Sequence, residues 1–361
     1  MSLAYITNYL AEREKLFEVR IEVNSTCNLR CEHCYIPNHD NIGLSYDKII
    51  NLLYQLRKIG VYDLSFTGGE IFCRKDIFSI IKKARQMGFN VTLFSNITLL
   101  DENSIKELRE LFINKISCTV FSLDESINDQ IMGIEGSLKK IIQNIELLIA
   151  YGINVEIKTV LMKKNFNCYK NIQEFCKERK IDYILSTIVT QKNDGNKSNL
   201  KLRLNGGQLT NVFKDKSLGL LKKNQLSDED YVCNRLRSSL FINCKGDVYP
   251  CDTFAKSCGN IYENTVEEIW NDSAELKYIR NLKLGDMSSC KGCKKKGFCL
   301  KCPGISQLEE GDVMRKSRLA CQHAQTVDKV LRETYVSRSL FLSIYEICVE
   351  KRNFPLGLCH P

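Results

Sequence analysis

Between residue 18 and about residue 188, short β-rich runs alternate with helical ones, and this alternation restricts the chain to few folds. Residues 17–23 alternate apolar and polar side chains, as a half-buried strand does. Further β-rich runs span 61–66, 89–95, 115–123, 153–161 and 181–188. Helical patterns over 75–87, 101–112, 136–151 and 169–180 separate the later ones. Gly88 and Gly152 stand where helices end, and Asp101 stands where an N-cap belongs. Strands and helices alternating in this way predict a parallel α/β sheet.

Cys27, Cys31 and Cys34 follow the first strand at C-x3-C-x2-C spacing. Three thiolates on one short loop can hold three irons of a cubane cluster and leave the fourth open to a small molecule. A zinc site is the alternative, with His33 as fourth ligand, although His33 lies inside the tight turn between two of the cysteines. With the loop after the first strand, a partial (β/α)6 barrel fits, with its active site at the C-terminal ends of the strands. The chain has 361 residues and 18 cysteines, and no secretory signal is visible at its start. Metal or cluster binding therefore explains the cysteines better than disulfides, and a cytoplasmic location is expected.

No run of 18 or more apolar residues exists, so no membrane span is expected. The formal charge is +9. Three thiolate-bound clusters would bring it to roughly +4. Aromatic and basic residues do not interleave as they do in single-strand binders, so nucleic acid is not an expected partner.

The cysteine loop ends in Tyr35, and Thr67-Gly68-Gly69-Glu70 follows the second strand. Together they resemble the radical S-adenosylmethionine (SAM) superfamily. The resemblance implies that Cys27, Cys31 and Cys34 hold the SAM-binding cluster and that Glu70 receives the SAM ammonium group. It implies further SAM contacts from Tyr35, Gly68, Gly69, Ser95 and Asn96, and from Ser122 and Asp124, which at a strand end could equally be caps. The family often has glycine where Ile97 stands and arginine where Met132 stands. Cys73 and Cys118 are candidate hydrogen-atom donors, and each could equally be a small buried apolar residue.

From Tyr231 to Cys321 cysteines crowd the sequence. Cys233, Gly246-x4-Cys251, Cys290-x2-Cys293-x5-Cys299-x2-Cys302 and Cys321 resemble the SPASM extension, which carries auxiliary iron–sulfur clusters. The spacing before Cys302 is one residue shorter than in the family pattern. The resemblance implies one cluster on Cys290, Cys293, Cys299 and Cys321 and another on Cys233, Cys251 and Cys302. Cys244 and Cys258 are candidates for its fourth ligand, or else buried structural cysteines. Zinc remains an alternative in this region too.

The expected organisation is an N-terminal segment (1–16), a radical SAM partial barrel (17–190), a linker with helices (191–230), a loop-rich SPASM domain (231–325), and a C-terminal helix and tail (326–361), frayed at Leu358–Pro361. The expected cofactors are three [4Fe–4S] clusters and SAM. The expected chemistry is hydrogen abstraction from a ribosomally made peptide, giving a cross-link, an oxidation or an epimerisation. About 16 residues precede the first strand, which predicts no N-terminal peptide-binding domain. A leader peptide would then dock on the barrel or the cysteine-rich domain, or be recruited by a separate leader-recognition protein; an external electron donor of flavodoxin or ferredoxin type is a further expected partner. Enzyme alternatives are a sulfatase-maturase-like activity and modification of a tetrapyrrole side chain in haem synthesis. The non-enzyme alternatives are an iron–sulfur electron carrier and a zinc-dependent interaction module.

Overall fold

The computed structural model of the chain describes residues 3–221 and 225–350, so the expected fraying of Leu358–Pro361 lies outside the described residues. Helix α1 (Leu3–Glu12) precedes β1 (Glu18–Glu22). Then come α2 (Tyr46–Lys58), β2 (Asp63–Thr67), α3 (Ile77–Gln86), β3 (Asn90–Phe94), α4 (Glu102–Glu110) and β4 (Lys115–Thr119). Helices α5 (Glu125–Met132) and α6 (Ser137–Ala150), β5 (Val155–Val160), α7 (Tyr169–Arg179) and β6 (Asp182–Ser186) complete the expected alternation. Asp101 caps α4, accepting from Ser104 N, and left-handed Gly88 and Gly152 follow the ends of α3 and α6.

These six strands are mutually parallel, in the order β6-β5-β4-β3-β2-β1. Strand alternation gives each a helix-facing side and a lumen-facing side. On β1, Val19 and Ile21 are fully buried in the apolar core, with Leu53 and Leu56 of α2 and Ile80 of α3 in the same cluster. Each such side chain contributes about 2 kcal/mol through burial. Glu18, Arg20 and Glu22 take the opposite side.

The cysteine-rich region is less separate than its composition implies. After α8 (Gly206–Lys214), strand β7 (Ser239–Ile242) pairs parallel with β1. Strands β8 (Asp247–Tyr249) and β9 (Gly259–Asn260) follow antiparallel, giving one nine-stranded sheet. Helices α9 (Val266–Asp272), α10 (Ala274–Asn281), α11 (Pro303–Glu310) and α12 (Arg318–Glu350) complete the described chain. Among the described residues no helix is long and apolar enough to cross a membrane.

Two ion pairs tie this region to the barrel lumen, Arg20 with Asp252 and Arg235 with Glu18. The polar stretch after residue 190 is also held down. Gln191 donates to Leu308 O at 2.6 Å, and Asn199 is 2% exposed.

Arg237 joins three segments. Buried in the protein, it donates to Ala11 O, Arg280 O and Asn281 Oδ1, and stands 3.6 Å from Glu14. Its removal strands those acceptors. Arg237→Ala is expected to cost about 3 kcal/mol, read as a lower urea midpoint with an unchanged slope.

Candidate active site

No helix or strand forms between Val23 and Ser45, so the backbone of the cysteine loop must find its hydrogen bonds elsewhere. The glycine loop supplies several. Gly69 N donates to Asn24 O at 3.0 Å and Glu70 N to Thr26 O at 2.8 Å. Asn24 Nδ2 donates back to Glu70 O at 2.9 Å. A Cβ on Gly68 would lie 2.3 Å from Asn24 Oδ1, and one on Gly69 would lie 2.3 Å from Ser25 O and 2.4 Å from Thr26 O. Only glycine allows so close an approach. The C-terminal turn of α5 contributes next, with Met132 O and Ile131 O accepting from Arg30 N and Glu32 N at 3.1 and 2.9 Å. These are carbonyls a helix end leaves unpaired. Lastly, Asn199 Nδ2 donates to His33 O and Cys34 O at 3.1 and 3.0 Å.

Held in this way, Cys27, Cys31 and Cys34 form one wall of a cavity of about 220 Å³. Thr67, Gly68 and Gly69 at the end of β2, Ser95 and Asn96 after β3, and Ser117 and Thr119 on β4 also line it. Tyr35, Met132 and Lys158 line it as well. Burial pushes the Cys27 thiol up to about 11 and that of Cys31 up to about 12, and Cys34 adds repulsion to both. Burial raises Cys34 as well. Such thiols ionise when a metal centre supplies positive charge, so this donor set fits a cluster. Leu29 N donates to Cys27 Sγ at 3.4 Å, and His39 Nε2 lies 3.5 Å from Cys34 Sγ. Among the described residues no three Cys, His, Asp or Glu side chains close on one point as the ligands of a single ion do.

Several sequence expectations change here. Glu70 is fully buried and does not line the cavity. Its carboxylate accepts from Ser95 Oγ and Asn96 N, both at 2.7 Å, and from Phe72 N at 3.1 Å. Burial still holds its pKa above the usual carboxylate range. Glu70 thus fixes the end of β3, and the backbone beside it faces the cavity. Ser122 and Asp124 act as caps: Asp124 N donates to Ser122 Oγ, and Asp124 accepts from Ile127 N at the start of α5. Cys118 is 1% exposed within the apolar core, with Cys176 as neighbour, while Ser117 and Thr119 on either side of it face the cavity. Cys73 is half-buried near Cys27 but does not line the cavity.

Ile97, where the family favours glycine, has φ +56 and is fully buried. Left-handed backbone costs a side chain of this type about 1–2 kcal/mol, and burial of isoleucine returns about 2 kcal/mol. Ile97 O also accepts from Asn144 Nδ2 at 2.7 Å.

Sequence reasoning did not single out Lys158, Ser117, Thr119, His39 or Asn199. The alternation of β4 carried a signal for Ser117 and Thr119, and His39 lies only five residues past Cys34; Lys158 and Asn199 sit far from any motif. Lys158 Nζ lies 3.3 Å from Glu156 and 4.1 Å from the Phe94 ring centroid. Glu156 also pairs with Lys115, so one carboxylate serves two ammonium groups. Burial lowers the pKa of Lys158.

The remaining cysteines fall into two groups. Cys299 and Cys321 are each raised by Cys290 and Cys293, after burial, which gathers those four thiols. Beside them the Nζ of Lys301 is buried without a hydrogen-bond partner, and its charge favours the thiolate of Cys299. In the second group Cys302 neighbours both Cys233 and Cys251, and Thr253 Oγ1 lies 2.9 Å from Cys251 Sγ and 3.9 Å from Cys302 Sγ. Cys244 lies against Glu22, and Cys258 has Glu275 and Lys256 as charged neighbours.

Residues 21–176 match the family model of the radical SAM superfamily, and residues 233–294 match that of the SPASM iron–sulfur cluster-binding domain. The chain is a radical SAM enzyme with a SPASM domain. It is 22% identical over 320 residues to an AdoMet-dependent heme synthase of Oleidesulfovibrio alaskensis, covering 77% of this chain and 82% of that one. It is 30% identical over 160 residues to a GTP 3',8-cyclase of Clostridium botulinum, covering 41% of this chain and 49% of that one. Among solved structures, Streptococcus suis SuiB bound to precursor peptide SuiA aligns with a TM-score of 0.68 at 19% identity, covering 88% of this chain and 80% of SuiB. At that identity the likeness shows that this radical SAM enzyme shares the fold.

Gly69→Ala is expected to cost about 3 kcal/mol, because its Cβ meets two carbonyl oxygens that cannot yield. Gly206→Ala, with open space around it, should stay within about 0.5 kcal/mol of wild type. Urea midpoints compare the two, and the iron bound per chain after reconstitution should fall only for Gly69→Ala.

Proposed function

We propose that this radical SAM enzyme modifies a ribosomally made peptide by hydrogen abstraction. The observation that carries the reading is the cavity beneath Cys27, Cys31 and Cys34, walled by polar strand ends on a sheet shared with two further groups of thiols. SuiB, similar in fold, has been solved with its precursor peptide, which supports a peptide substrate.

Cys27, Cys31 and Cys34 would hold a [4Fe–4S] cluster that, when bound and reduced, supplies the electron cleaving SAM to a 5′-deoxyadenosyl radical. The chain's own residues do the positioning. Gly68 and Gly69 let their backbone approach the methionine end of SAM, and Ser95 and Asn96 offer polar groups beside it. Tyr35 lines the same space. Lys158 gives a carboxylate a cationic partner that Met132 does not. Cys290, Cys293, Cys299 and Cys321 would hold one auxiliary cluster, and Cys233, Cys251 and Cys302 the other. An external one-electron donor and a separate leader-recognition protein complete the proposed system.

A second reading is modification of a tetrapyrrole side chain. It is favoured by the sequence likeness to the heme synthase over 77% of this chain and 82% of that one.

Anaerobic reconstitution is expected to yield about twelve irons per chain, as three cubanes. Cys31→Ala should keep about eight and release no 5′-deoxyadenosine from SAM and dithionite. About four irons in the wild type would overturn the auxiliary assignments. Mass spectrometry with a short peptide encoded beside the gene then decides the substrate. Loss of a hydrogen pair from the peptide means oxidation or cross-linking, and an unchanged mass with deuterium uptake from D2O means epimerisation. Turnover of an iron porphyrin precursor with the peptide unchanged selects the tetrapyrrole reading.

A further inference from the structure

Five lysines and no acidic residue lie between Cys290 and Cys302. Their surroundings divide them into three kinds. Lys295 and Lys296 are paired with Asp328 and Asp228. Lys301 turns inward: its Nζ is buried and its charge favours the thiolate of Cys299. Lys291 and Lys294 are left. Both are exposed and neither forms an ion pair among the described residues; Lys291 acts at longer range on Asp228, whose carboxylate is already paired with Lys296. They flank Cys293, the one exposed cysteine among the described residues. Leu300 nearby in sequence is 48% exposed.

Lys301 is the lysine turned inward beside the thiols, its Nζ buried. Lys291 and Lys294 stand in solvent, where their field reaches outward by about one Debye length, roughly 8–10 Å.

We propose that Lys291, Cys293, Lys294 and Leu300 form the docking surface for a small acidic one-electron carrier of flavodoxin type. The inference rests on the reading of Cys290, Cys293, Cys299 and Cys321 as a cluster site. An electron carrier needs a redox centre near the surface, and Cys293 is where this centre reaches it. Transient redox partners bind through small interfaces and are guided by charge complementarity more than by area. Two unpaired lysines around an exposed ligand and one apolar side chain meet both requirements. An acidic peptide would also be drawn to the lysines but gains nothing from the exposed thiol.

The test uses the reconstituted full chain and an acidic flavodoxin. Binding is measured at low salt, about 0.03 M, and at high salt, about 0.5 M, where screening shortens the field to a few ångströms. Lys291→Glu with Lys294→Glu is expected to weaken binding about tenfold at low salt, and the difference should shrink at high salt. Lys82→Glu with Lys139→Glu makes the same change in net charge on exposed helix positions elsewhere and should change binding less than about twofold. Equal weakening by both double variants, or no binding by a wild type with its full iron, overturns the proposal. So does an oligoglutamate peptide that binds this face when flavodoxin does not. A wild type lacking the outer cluster by iron count overturns the underlying reading, and the proposal with it.

Discussion

The unpaired backbone of the cysteine loop is the constraint on which the site depends. A loop without helix or strand carries amide and carbonyl groups that cost free energy unless each finds a partner. Here the partners come from the glycine loop after β2, the end of α5, and Asn199 beyond β6. The three thiols are therefore positioned by the barrel as a whole. This explains why the polar stretch after residue 190 is held against the loop, although its composition reads as a linker: its buried asparagine completes the loop's hydrogen bonding.

The lumen adds an electrostatic layer. Arg20 and Lys158 approach the Phe94 ring at 4.5 and 4.1 Å, and Arg20 is paired with Asp252 from the residue after Cys251. The second group of thiols is thus coupled to the barrel interior through a charge pair and through the β1–β7 ladder. Lys158 shares its carboxylate partner with Lys115, leaving positive charge near the cavity that an anionic group can use. Glu70 shows the opposite case. Its charge is met by hydrogen bonds from the end of β3, so it serves the architecture of the rim.

The fold was largely legible. Six strand runs, their separating helices, the N-cap at Asp101 and the glycine stops at 88 and 152 all appear within a few residues of their expected places. These features depend on periodicity and on local backbone preferences, which neighbouring residues encode. The continuation of the sheet through β7, β8 and β9 was not legible, because the cysteine spacing dominates that stretch and its strands are short.

By itself the sequence determined the alternating α/β order and the three-cysteine loop at a strand end. Those follow from spacing along the chain. Only the tertiary structure decided which side chains face the cavity and which are already engaged. It turned Cys118 into the core while Ser117 and Thr119 face the cavity, satisfied Glu70 from β3, made caps of Ser122 and Asp124, and brought Lys158 and Asn199 to the site. The physical reason is that a polar group's role depends on the partner it meets. Here those partners come from separate strands and loops, at separations that no local pattern specifies.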